Sequence, residues 1–390
     1  MRILLVSNYQ PPHPGGIEYA AESLKECWTE RGHAVTWLTT DIPRGAIPPL
    51  TEGNIRVPSW NGFEERFQIN SPLVSPFSFP LIRRLIREHD VINPHSLAPG
   101  LASLALVMAL RQRKPVVATQ HVGVIPLGSA LLNRVQQRFL GGLARWATNR
   151  DARLTFVGEG VRQWFEDYAG LDRERLSMTP AGINPRLFHF VTDPERARLR
   201  AKWNLPADRF SVLFIGRFVE KKGLPLIREL AAGSRDILFT LVGSGVIRPE
   251  EWNLPNVRIL SQVSSSDLRE LYGAHDLFLM PSFGEGWPAV VPQAMACGLF
   301  CMVSEETFDG YRKDKDRFCV VPRTLDKLSE SLGAYAGRQI PMPPRQETSD
   351  YATAQWNWMR TAILYEDLFV EAMAGAAQAD LPGGALRRRG

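Results

Sequence analysis

The chain has 390 residues, too many for one ordinary core, so two domains are expected. Its 44% hydrophobic and 22% charged residues belong to a folded globular protein and exclude a disordered or fibrous chain. The net charge of +5 suits an acidic small molecule, an anionic membrane surface or nucleic acid; nucleic acid is disfavoured because neither an aromatic-basic RNA-binding signature nor zinc-finger spacing is present.

The opening "MRILLVSN" (residues 1–8) has too short an apolar run for a signal peptide and reads as a first strand. The longest apolar stretch (residues 96–110) contains Pro99 and is shorter than the roughly 20 residues a membrane span needs, so the expected location is cytoplasmic. Cys27, Cys297, Cys301 and Cys319 are too few and too scattered for a disulfide framework. Cys297 and Cys301 have no histidine nearby in sequence, so buried thiols are expected there rather than a metal site.

Strands are predicted over residues 2–8, 34–40, 90–95, 115–121 and 153–158, with helices between them, the first over 17–31 and closing at Gly32. Around residues 182–208, Pro185, Pro194 and Pro206 flank a charged helical piece that reads as an interdomain connection. The pattern then restarts, with strands over 211–217, 238–245, 257–263, 277–283 and 300–305. A proline cluster (339–347) precedes a last amphipathic segment, 349–373, in which Trp356, Met359, Ile363 and Leu364 fall near helical spacing.

This alternation is that of an α/β protein with two doubly wound domains. The expected division is residues 1–182, a donor domain over 183–348, a helix over 349–375 packing back on the first domain, and a disordered tail over 376–390. Ligands of such sheets bind at the carboxyl ends of the strands, so the loops just after strands carry the candidate chemistry.

Four such loops stand out. Pro14, Gly15 and Gly16 open a bend directly before a helix, whose unpaired first-turn N–H groups can receive an anion or merely close an ordinary turn. In "GRFVEKKG", Arg217 and Lys222 could converge on a diphosphate or sit in a solvated turn. In "SFGEGWPAVVPQAMACG", Glu285 lies between Gly284 and Gly286, and Gln293 is one amide in an apolar run. His121 ends the strand "PVVATQH", while His13, His95 and His189 have weaker claims. "VGSG" (242–245) lacks the third glycine of a dinucleotide fingerprint, so a nicotinamide site is discounted.

Taken together, "PPHPGGIEYAAESLKECWTERGHAVTWLT", "ATQH", "GEGVRQWFEDYAGLDRERLSMTPAGINPRLF", "GRFVEKKG" and "DLFLMPSFGEGWPAVVPQAMACG" resemble glycosyltransferase family 4, retaining nucleotide-sugar transferases of the GT-B fold. The resemblance implies that the glycines at 15 and 16, with Arg217 and Lys222, touch the donor diphosphate. It places Glu285, with Gly286, Trp287 and Pro288, around the donor sugar, Gln293 at the ribose hydroxyls and His121 near the reacting sugar and acceptor. It further implies transfer to a glycan or lipid-linked acceptor with retention of configuration; neither cofactor nor metal is expected if Arg217 and Lys222 neutralise the leaving diphosphate, and none of the four loops holds an Asp-x-Asp pair. Three segments depart from the family pattern: Gln293 replaces a glutamate, "PAG" (180–182) replaces Pro-Asn-Gly, and "SEETFDGYRKDK", beginning at Ser304, lacks a glycine-rich segment.

Residues 131–153 mix Leu131, Leu132, Val135, Phe139, Leu143 and Trp146 with Arg134, Arg138, Arg145 and Arg150. Such a helix either lies peripherally on an anionic bilayer at the inner membrane face or packs on the sheet with its arginines solvated. The amide at 293 and the altered segment after 304 also leave open a catalytically weak nucleotide-sugar-binding subunit of a polysaccharide assembly complex.

Overall fold

Runs such as RILLV and SVLFI are apolar at nearly every position, as strands covered on both faces must be. The computed structural model describes residues 1–13, 16–42, 53–67, 71–124, 129–261, 263–283, 287–311 and 314–379. The chain forms two compact units: Met1–Gly182 with Trp358–Gly390, and Ile183–Asn357.

The first unit contains β1 (Arg2–Val6), β2 (Ala34–Thr40), β3 (Asn54–Val57), a short antiparallel pair β4 (Ser59–Trp60) and β5 (Leu73–Val74), then β6 (Val91–Pro94), β7 (Val117–Gln120), β8 (Arg153–Phe156) and β9 (Leu176–Met178). Parallel pairing gives the orders β3-β2-β1-β6 and β7-β8-β9, and the bridges Ile92↔Val116 and His95↔Thr119 link β6 to β7. The order reverses between β1 and β6, the switch point of a doubly wound sheet. In the helix Gly16–Glu30, Ala21, Leu24 and Trp28 recur at helical spacing and are buried. Gly32 follows it with φ 84°, the left-handed conformation that a closing glycine supplies.

The second unit contains β10 (Ser211–Ile215), β11 (Leu238–Val242), β12 (Val257–Leu260), β13 (Leu277–Met280), β14 (Phe300–Ser304) and β15 (Cys319–Val321), all parallel in the order β12-β11-β10-β13-β14-β15. β15 extends the sheet past residue 305, where the predicted strands stopped; at three residues it is too short to show a period. The segment 183–208 is no free connection. Its helix Asp193–Lys202 docks on the second unit through the nearly buried Arg200, which reaches Asp276 at 3.0 Å and the carbonyl of Ala274 at 3.1 Å.

Both sheets carry one device at their switch point. His89 and His275 each follow a helix and precede the fourth strand of the sheet order. Each places Nδ1 on the carbonyl four residues back, Leu85 at 2.6 Å and Leu271 at 2.7 Å. Each meets a threonine with Nε2, Thr36 on β2 at 2.8 Å and Thr240 on β11 at 2.8 Å. The next residue, Asp90 or Asp276, accepts the backbone N–H that opens the central strand, from Arg2 at 2.8 Å or Ser211 at 2.8 Å.

The C-terminal segment is two helices instead of one. Arg345–Gln355 belongs to the second unit and Trp358–Ala379 to the first, so the boundary falls at 357, not 348. Trp356 is the reason: it packs among the rings of Tyr311, Phe318 and Tyr351, and its carbonyl accepts from Ile183 N at 2.8 Å, which fixes it in the second unit. Beyond the break, Ala362, Tyr365 and Phe369 bury against Trp28, whereas Ile363 and Leu364 are exposed. The helix passes 375 because alanine dominates its end and one glycine costs only about 1 kcal/mol; 380–390 lie outside the described residues.

Candidate functional site

In the second unit, the loops after β10, β11 and β13 are fastened to one another, backbone against backbone. Gly223 has φ 79°, and a Cβ there would collide with the Pro281 carbonyl. Cβ atoms at Gly243 and Gly245 would collide with the carbonyls of Gly216 and Phe218. Those glycines let Phe218 N donate to Ser244 O at 2.8 Å and Ile247 N donate to Phe218 O at 2.9 Å, so "VGSG" braces the basic loop. Phe283 N donates to Lys221 O at 3.0 Å, tying the start of the 283–288 loop beside Lys222. Arg217 is exposed and its side chain has no partner among the described residues, while Lys222 is half-buried.

The altered segment after Ser304 holds the same loop from its other side. Ser304 Oγ donates to Ser282 O at 2.5 Å, and the Tyr311 hydroxyl donates to Pro288 O at 2.6 Å. Trp287 lies 5.9 Å from the Tyr311 ring, so Trp287 and Pro288 are fixed by residues of the departing segment. Gln293, on the helix Val290–Ala296, is half-buried and accepts from the hydroxyl of the fully buried Tyr272 at 3.2 Å. That helix is clamped by Arg345–Gln355: Ser349 Oγ donates to Ala296 O at 2.5 Å and Arg345 donates to the carbonyls of Gly273 and Cys297. The thiols Cys297, Cys301 and Cys319 are free and buried, and Cys27 is half-buried. Gly15, Glu285 and Gly286 lie outside the described residues.

In the first unit, Gly16 opens the helix Gly16–Glu30. The turn before it is anchored by His13, which stacks on Tyr9 at 4.0 Å and faces Glu64 at 2.9 Å and Glu18 at 3.3 Å. Burial opposes charge on His13, but its bonds to Glu18 and Glu64 outweigh this and raise its pKa. His121, just beyond β7, is buried, and burial lowers its pKa to about 4. Its Nε2 lies 2.9 Å from Nδ1 of His95, whose Nε2 lies 2.8 Å from Asn93 Oδ1. Burial, then the neighbouring His121, holds the His95 pKa well below the usual range. His189 is exposed and joins none of these groups.

Asn93 and Tyr272 were not picked out by sequence reasoning and His95 only as a weaker candidate than His121, although a signal for the pairing of the two histidines existed. "INPH" and "ATQH" each end one residue past a strand, and neighbouring parallel strands bring such residues together.

Two family profiles fit the chain: Glycosyltransferase Family 4 over residues 14–187 and Glycosyl transferases group 1 over residues 209–335. Together they account for well over half of it. The chain is a family 4-type glycosyltransferase. This glycosyltransferase is 25% identical over 342 residues to a phosphatidyl-myo-inositol mannosyltransferase of Mycolicibacterium smegmatis, covering 83% of this chain and 81% of that one. It is 26% identical to one chain of the human phosphatidylinositol N-acetylglucosaminyltransferase, covering 76% of this chain and 60% of that one. Among solved structures, HepE of Anabaena in complex with UDP matches with a TM-score of 0.72 at 16% identity, over 95% of this chain and 100% of that one. Sucrose-phosphate synthase of Thermosynechococcus elongatus matches with a TM-score of 0.72 at 18% identity, over 96% of this chain and 99% of that one. The transferase has the GT-B fold.

Proposed function

We propose that this glycosyltransferase moves a sugar from a nucleoside-diphosphate donor to a hydroxyl of a glycan or lipid-linked acceptor, with retention of anomeric configuration and without a resident metal. The observation that carries the reading is the interlocked loop set after β10, β11 and β13, which holds Arg217 and Lys222 at the carboxyl end of the second sheet. Departure of the nucleotide develops negative charge on its phosphate, and prepositioned cations stabilise that charge most when they need not reorganise. Arg217 and Lys222 serve this role, Gln293 faces the ribose, and Gly16 presents helix N–H groups to an anion. UDP in the HepE structure, a relative of the same fold, supports a nucleotide donor.

The test is release of nucleoside diphosphate from UDP- and GDP-sugars. Arg217→Ala and Lys222→Ala should each lower turnover about tenfold or more, the effect of losing a charge-assisted contact of about 1.5–3 kcal/mol, and EDTA should leave the parent rate unchanged. Folded variants that turn over normally would remove both cations from the site. Donor release by the parent protein also separates a transferase from a mere binding subunit.

The lipid-linked acceptor rests on the phosphatidylinositol named in both relatives and on the helix Ala130–Thr148. Its second half buries Leu140, Ala144 and Ala147, with Leu143 and Trp146 partly buried against the same core. Its first half leaves Leu131, Leu132, Val135 and Phe139 exposed beside exposed Arg134 and Arg138. The candidate membrane face is therefore 131–139 and not the whole of 131–153. No helix among the described residues is long and apolar enough to cross a membrane. Co-sedimentation with vesicles rich in anionic lipid should be strong at low salt, weak at high salt and reduced by Leu131→Ser with Val135→Ser. Equal binding to neutral vesicles would overturn it.

A further inference from the structure

The hydrogen bonds around His121 have a direction that can be read from one end. Asn93 Nδ2 lies 2.6 Å from the carbonyl of Val117 and 3.2 Å from Thr119 Oγ1. A carbonyl only accepts, so the amide is oriented with its nitrogen toward Val117 and Oδ1 toward His95. Oδ1 also only accepts, so His95 Nε2 carries a hydrogen across the 2.8 Å contact. His95 is fully buried with Tyr365 stacked on it at 6.3 Å, an environment that disfavours a second proton. Its Nδ1 is therefore a bare lone pair, and the hydrogen in the 2.9 Å contact belongs to His121 Nε2. Neutral His121 is left with a bare Nδ1, which has no partner among the described residues.

We propose that Asn93 and His95 are positioning residues which fix His121 as the Nε2–H tautomer, so that Nδ1 accepts a hydrogen bond from a hydroxyl of the bound sugar or acceptor. The proposal rests on the reading above that His121 lies at the transfer site. The site then selects a hydroxyl donor at that point, and an imidazole whose tautomer is already set need not reorganise when substrate arrives. The relay is held from its far end as well, because Thr119 Oγ1 bonds the Tyr365 hydroxyl at 2.9 Å and Gln120 bridges Leu97 N at 2.7 Å to the carbonyl of Val122 at 2.6 Å.

Long-range proton–nitrogen correlation on histidine-labelled protein near neutral pH reads the tautomer directly, with the His121 signals assigned by their loss in His121→Leu. The expected result is a protonated Nε2 and an unprotonated Nδ1. The functional arm uses donor hydrolysis with whichever of UDP-glucose and GDP-mannose the protein cleaves. His95→Leu should lower kcat about tenfold with KM nearly unchanged, the effect of one misdirected hydrogen bond. His95→Gln should restore most of the rate, because its oxygen can accept from His121 while its nitrogen donates to Asn93. An Nδ1–H tautomer or an imidazolium at His121, or equal rates for the leucine and glutamine variants, overturns the relay. Full activity in His121→Leu instead removes His121 from the transfer site, whatever its tautomer, and so the two failures are distinguishable.

Discussion

Gln293 carries a polar side chain on a helix whose other inward residues, Val291, Ala294 and Met295, are wholly buried. Its oxygen is engaged by the Tyr272 hydroxyl, so the amide is held in one orientation, with its NH2 group left as the donor that the proposed ribose contact would use. A glutamate there would instead accept from Tyr272 and from ribose hydroxyls through a charged group, a gain of about 1 kcal/mol. Gln293→Glu should therefore tighten nucleoside-diphosphate binding several-fold, as measured by calorimetric titration, and an unchanged Kd for every nucleotide would take Gln293 away from the ribose. The residue was legible in sequence as an amide out of place. Its partner was not, because Tyr272 lies on another helix and looks like any core aromatic until the two are brought together.

At the scale of elements, the repeated helix–His–Asp–strand device shows what each switch point needs. The central strand begins with an unpaired N–H, and an aspartate on its neighbour satisfies it. Asp276 is partly buried, yet its pKa is lowered, because Ser211, Arg196 and Arg200 outweigh desolvation. His275 is buried without an opposite charge in hydrogen-bond contact, and burial lowers its pKa to about 4. Unfolded histidine titrates near 6.5, so between these values the unfolded chain binds the proton and the folded chain does not. Stability supplied by neutral His275 is thus complete above about pH 6.5 and is lost as pH falls through about 4, with a ceiling of about 3 kcal/mol. His95 and His121 add losses in the same direction in the other unit, so the informative quantity is the difference from His275→Asn. Urea unfolding across this window should give a flatter pH dependence for the variant, and parallel curves would refute the linkage. Both "HD" pairs, 89–90 and 275–276, stood in the sequence. Their equivalence emerges only from strand order, because the short strands β3, β9 and β15 that complete the sheets carry too few residues to show a period.

At the scale of the molecule, the chain leaves the first unit at Gly182 and re-enters it at Trp358. Gly182 has no room for a Cβ because the Trp358 backbone lies against it, which explains a glycine in "PAG" without any ligand. Helical periodicity alone could not find this crossing: of the one apparent stripe, Trp356 is buried in the core of the second unit, whereas Ile363 and Leu364 are exposed on the helix that returns to the first, which buries Ala362, Tyr365 and Phe369 instead. The returning helix then completes the first unit. Trp28 Nε1 donates to Ala362 O at 3.2 Å, Arg31 clasps Glu366 at 2.5 and 2.8 Å, and Tyr365, Leu368 and Phe369 are buried against β1 and the helix Gly16–Glu30. Each of those three side chains contributes about 1.5–3 kcal/mol by leaving water, a sum comparable with the whole stability of a domain. A chain ending at Asn357 should therefore lose the first unit's cooperative unfolding transition in calorimetry while keeping that of the second, which contains all of Ile183–Asn357. Such a chain should still bind nucleoside diphosphate through the loops after β10, β11 and β13, but should release none from a nucleotide sugar, because Tyr365 also supports His95 and Thr119. Two intact transitions after truncation would show that the first core closes without its last helix, and retained turnover would show that the histidine pair does not depend on it.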